Sequence, residues 1–134
     1  MSAPSSTVPV SVKNKTQRRF FLLPFDDIKN EILGTKYELS LVFVGTAEMT
    51  KLNETYREKE GPTDILSFSV AKDVGEIIIC PIVALKKAKL FEEKPREYHL
   101  RLFIHGCLHL KGHAHGSTME RHERRVKSLF LSHL

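Results

Sequence analysis

The sequence predicts an α+β (mixed α/β) fold in a single small domain, and three observations carry that reading. Leu39, Leu41 and Phe43 fall on one face of an extended segment and Ser40 and Val42 on the other, the period of a strand. Phe25, Ile28 and Ile32 recur at the spacing of a helix. Lys72-Asp73-Val74-Gly75 is a turn short enough to join two strands as a hairpin. At 134 residues and 41% hydrophobic composition, the chain is large enough to bury one core of its own.

Residues 1–6 are small, polar and proline-containing and read as a disordered tail, leaving 7–134 as the domain. Val8 to Val12 alternates and reads as a first strand, with Pro9 marking its start as irregular or at an edge. The first helix follows, with Asp26 and Asp27 in its first turn and Gly34 closing it. After the strand Tyr37 to Val44, Gly45 intervenes and Thr46 reads as the N-cap of a second helix. That helix carries Met49, Leu52 and Tyr56 as its apolar stripe and ends at Arg57. Gly61-Pro62 marks a turn. Strands Ile65 to Val70 and Glu76 to Cys80 flank the hairpin turn. Pro81 suits the first position of a third helix carrying Ile82, Leu85 and Ala88. A fourth begins near Arg96. Ser117 and Glu120 form a capping-box pattern for a fifth, which turns Met119, Val126, Leu129 and Phe130 inward. The count is about four strands and about five helices.

Composition narrows the function classes. No apolar run approaches a membrane span, and the N-terminus lacks the basic and apolar regions of a signal peptide. Cys80 and Cys107 both sit in apolar contexts and do not make a disulfide framework. These features lead us to expect a cytoplasmic protein. The net charge is +5 and the pI about 9.3, compatible with a polyanionic partner. The basic runs, Lys86, Lys87 and Lys89 among them, are scattered and read as solvated faces.

The chemistry concentrates in Arg101 to His115, which holds four of the seven histidines. His105 and His109 lie one turn apart on one helix face, where two imidazoles can share a metal. Gly112 ends the helix. A third histidine past the turn can then return to the pair: His115 is placed for this, and His113, nearer the cap, is its rival. Three nitrogen ligands and an open position describe a catalytic zinc site. Cys107 is rotated roughly 200 degrees from His105 and points into the core. His99 is rotated roughly 240 degrees from His105 and is not expected to be a ligand. His122 and His133 read as surface or interface residues. Gly106 stands where a His-Glu-x-x-His protease has its general base, which argues against a peptidase of that type.

The spacing His-x3-His-x5-His, within His-Gly-Cys-Leu-His-Leu-x-Gly-His-x-His, resembles the YbeY family of bacterial rRNA-maturation endoribonucleases. Asn53-Glu-Thr-Tyr-Arg followed by Pro62-Thr-Asp-Ile-Leu-Ser-Phe68 is similar to a second segment of that family, and Gly75-Glu-Ile-Ile-Ile-Cys80 to one of its strands. The resemblance runs from roughly Leu39 to the C-terminus. It implies a small mixed sheet covered by helices and a zinc bound by His105, His109 and His115. It also implies a catalytic role for Arg57, single-stranded RNA or an rRNA precursor as substrate rather than DNA, and the ribosome or its proteins as partners. Two departures stand out: Ala114 where the family commonly has Asp before its third histidine, and Glu76 where Asp is usual. Loss of a carboxylate beside a ligand typically costs about 10–100-fold in affinity or activity.

Asp64 either anchors its loop through backbone amides or contacts the site, the structural role being favoured, and Thr63 and Ser67 are read as structural too. The alternative function is a ribosome-associated metal-binding factor with little intrinsic nuclease activity. Another metal hydrolase is less well supported, because no acidic cluster suits a two-metal phosphatase.

Overall fold

The structure, a computed structural model, describes residues 7–112 and 117–131. The expected tail, residues 1–6, lies outside them. Among the described residues nine elements follow in order: β1 Ser11–Asn14, α1 Phe25–Ile32, β2 Glu38–Phe43, α2 Thr46–Arg57, β3 Ile65–Ala71, β4 Val74–Ile79, α3 Pro81–Leu90, α4 Pro95–Lys111 and α5 Ser117–Phe130. The four strands form one mixed sheet in the order β1-β2-β4-β3. β1 and β4 each run parallel to β2, and β3 closes on β4 as an antiparallel hairpin. The α+β reading therefore holds.

The first strand starts later than its alternation suggested. The amide of Val8 donates to the Thr35 carbonyl and that of Val10 to Asp26 Oδ1, and Pro9 has no N–H to offer. Pairing with β2 thus begins at Ser11, opposite Ser40. The hairpin is tighter than expected. Val74 and Gly75 already pair, leaving Lys72 and Asp73 at the turn, and the register shifts between Ser69 and Ala71. Asp73 takes the left-handed conformation there. The second helix has Gly45, not Thr46, as its N-cap.

The sheet's two faces carry different helices. Leu39, Leu41, Phe43, Ile77 and Ile79 join residues of α1, α4 and α5 in the larger core. Val44, Leu66, Ile78 and Cys80 form a smaller core with Met49 of α2 on the opposite face. Two expected core positions fail. Tyr56 is 63% exposed and Leu129 50% exposed. Conversely, Lys29 is fully buried because its Nζ donates to the carbonyls of Gly34 and Thr35 just past the end of α1.

Candidate metal and RNA-cleavage site

α4 is built to bring histidines to the edge of the sheet. Pro95 occupies its first turn, where a missing N–H costs nothing. Gly112 ends it at φ 107°, and its amide donates back to the His109 carbonyl. Phe103, Ile104, Cys107 and Leu108 face the core. Burial pushes the Cys107 thiol well above its usual range, so it is an inert core residue.

Gly106 explains how closely α4 approaches the strands. A Cβ at this position would sit 2.9 Å from Ile77 Cδ1 and 3.1 Å from both Ile65 Cδ1 and Ser67 Oγ. The residue after His105 therefore faces the sheet, and a glutamate base has no space there.

His105 and His109 stand beside each other, with ring centroids 5.1 Å apart and planes at 67°. His105 is partly buried and His109 exposed. The Nδ1 of His105 donates to Glu123 Oε2 of α5 at 3.2 Å. Glu123 is only 8% exposed. Its other oxygen lies 3.6 Å from Arg101 Nη1, and Arg101 in turn pairs with Glu93 at 3.2 Å. A carboxylate behind a histidine fixes the ring's tautomer and orientation, the arrangement that commonly supports a metal-binding imidazole through Nε2. Two imidazoles one turn apart, one of them held in this way, fit zinc by donor chemistry. Among the described residues no group of three or more His, Cys, Asp or Glu side chains is assembled for a metal. His115, its rival His113 and Ala114 all lie outside the described residues, as does His133.

Arg57 reaches the same place from the other face of the sheet. Adjacent residues of a strand point to opposite faces. On β3, Leu66 packs into the core that α2 covers, while Ile65 and Ser67 meet α4 beside Gly106. Because β3 is the last strand of the sheet, the two layers meet around its edge. A cleft of about 670 Å³ runs there, lined by Tyr56 and Arg57 of α2, Thr63 to Phe68, Lys87 of α3, and His105 and His109 of α4.

Asp64 lies in the cleft wall, and among the described residues its side chain caps no backbone amide. It is buried and accepts a 2.7 Å hydrogen bond from the Tyr98 hydroxyl. Lys87 Nζ stands 3.4 Å from its other oxygen. The hydrogen bond to Asp64 and burial together drive the Tyr98 phenol far above its usual range, burial being the larger cause. His99 is buried, donates from Nδ1 to the Pro95 carbonyl at 2.8 Å and packs against Phe21, so it is no part of the cleft.

Three residues of the site were missed in the sequence: Glu123 went unread, Lys87 was read as part of a solvated face and Tyr56 as core. Glu123 had a signal. It shares a helical stripe with Met119, Val126 and Phe130, all buried, and a carboxylate on a buried stripe is nearly always paired.

The family model for the endoribonuclease YbeY matches residues 7–130. An endoribonuclease YbeY of Aquifex aeolicus is 30% identical over 136 residues, covering 95% of this chain and 91% of its own. That of Aliarcobacter butzleri is 33% identical, covering 88% and 86%. That of Finegoldia magna is 36% identical over 98 residues, which span 68% of this chain and 64% of that relative. The solution structure of TM1509 from Thermotoga maritima superposes with a TM-score of 0.67 at 22% identity, covering 92% of this chain and 90% of that one. It has the same fold. No helix among the described residues is long and apolar enough to cross a membrane. On the match of 7–130 and these relatives, the chain belongs to the endoribonuclease YbeY family.

Proposed function

We propose that this protein is a zinc-dependent, single-strand-specific endoribonuclease that acts on rRNA precursors in ribosome maturation and quality control. The observation that carries the reading is the convergence of Arg57, His105 and His109 on one cleft from opposite faces of the sheet. Family membership supports RNA as the substrate class.

His105, His109 and His115 would hold the metal, with Glu123 orienting His105. Zinc, when bound, acidifies water and polarises a phosphoryl oxygen. The protein's own groups do the remaining work. Arg57 offers a planar fork of donors to the extra negative charge that the phosphate gains in the transition state. Lys87 adds a second cation in the cleft, its charge partly engaged by Asp64. The ribosome, as the source of the substrate, is the expected partner, and the cytoplasm the expected compartment.

The test is elemental analysis of purified wild type and His109→Ala, each then given a single-stranded rRNA fragment with and without chelator. The expected result is about one zinc per chain, lost in the variant, with cleavage that the chelator stops. Zinc without cleavage would favour the ribosome-associated factor instead. A wild type that takes up no metal, even when zinc is supplied, would overturn the reading.

A further inference from the structure

Tyr56 is on the apolar stripe of α2 with Met49, yet the two have opposite fates. Met49 is fully buried and Tyr56 is 63% exposed. The other tyrosines, Tyr37 and Tyr98, are buried. A single exposed aromatic is ordinary on a protein surface, but this one is supported and placed. Its ring meets Phe68 of β3 in a T-shaped contact, with centroids 5.1 Å apart and planes at 65°. Both rings line the cleft that holds Arg57 and the two histidines.

Resting on the endoribonuclease reading above, we propose that Tyr56, braced by Phe68, is a stacking platform for an unpaired nucleobase and selects single-stranded RNA. The contact restrains Tyr56 yet leaves it largely exposed where it lines the cleft, so aromatic surface remains open there. Arg57 is the next residue in the chain, so a base on Tyr56 brings its own or an adjoining phosphate toward the guanidinium. In a duplex the bases are stacked on each other and offer no free face, whereas a single strand can splay one out. Stacking is tolerant of base identity because every base has a π-face. The platform therefore sets strandedness more than sequence.

The test is fluorescence anisotropy of the zinc-loaded protein with a labelled single-stranded oligoribonucleotide carrying 2′-O-methyl riboses to slow cleavage. Wild type, Tyr56→Ala and Tyr56→Phe are compared, on that strand and on one with abasic positions. Tyr56→Ala is expected to weaken binding about 5- to 150-fold, the effect of losing one base stack. Tyr56→Phe should stay close to wild type. On the abasic strand the difference between wild type and Tyr56→Ala should disappear, as a coupling between ring and base requires. Unchanged binding by Tyr56→Ala, or an equal loss on both strands, overturns the platform and leaves the endoribonuclease reading standing. No binding by wild type overturns both. Because Tyr56 is exposed, melting temperatures of the variants should match wild type, which separates loss of binding from loss of fold.

Discussion

Glu123 of α5 holds His105 of α4 from behind, its Oε2 3.2 Å from the ring's Nδ1, and Arg101 holds the other carboxylate oxygen. The last helix thus contributes to a site whose histidines lie on the helix before it. Replacing Glu123 by Gln keeps the side chain's shape and removes its charge. Zinc affinity, measured by competition with a chromophoric chelator, should fall about 10–100-fold. An unchanged affinity would mean that the contact does not support the proposed metal site.

Gly106 sets the distance between α4 and the sheet. Gly106→Val forces two further carbons against Ile77, Ile65 and Ser67, where even a Cβ is crowded. Overpacking of this kind costs about 1–3 kcal/mol, and the urea midpoint should fall accordingly. A stabilised variant would show that α4 stands farther from β3 and β4 than described.

The Tyr98 hydroxyl donates to a buried carboxylate at 2.7 Å. Tyr98→Phe leaves Asp64 with Lys87 and a long contact from Thr63, 3.4 Å each. Hydrogen bonds to charged groups contribute about 1.5–3 kcal/mol, so urea denaturation should report a loss in that range. A loss well below it would show that Lys87 closes on Asp64 in compensation.

His99 gives the fold a pH dependence with a defined sign. Burial holds its pKa below the usual imidazole value, offset in part by the hydrogen bond to Pro95 and by the charge of Asp64. The unfolded chain therefore binds a proton at a higher pH than the folded one. The stability associated with neutral His99 is present above about pH 6.5 and is lost as pH falls from there through the folded pKa. Melting temperature should drop over that window in wild type, and less in His99→Gln. Parallel curves for the two proteins would contradict this.

The strand period of Leu39, Leu41 and Phe43 and the helix period of Phe25, Ile28 and Ile32 were legible because those residues answer to a single apolar face. The glycine stop at Gly112 was legible because its conformation is local. Arg57 is different. Its distance from the histidines depends on β3 lying at the edge of the sheet with α2 and α4 on opposite faces, which no spacing in the chain encodes. The burial of charged residues was not legible for another reason. Lys29 and Glu123 are buried because each finds partners, two carbonyls for the first and His105 with Arg101 for the second. Those partners belong to a loop or to another helix. Tyr56 failed in the opposite sense: α2 runs past the end of the small core it covers, so periodicity continued where burial did not.

Cleavage of a single-stranded rRNA fragment by Arg57→Ala, with zinc counted in the same sample, decides whether the cleft works as one centre. Arg57 and the histidines lie on opposite faces of the sheet, so the variant should keep its zinc, about one per chain, and lose cleavage. Cleavage at the wild-type rate would remove Arg57 from the chemistry. Loss of zinc along with the arginine would contradict the separation of roles between the two sides of the cleft.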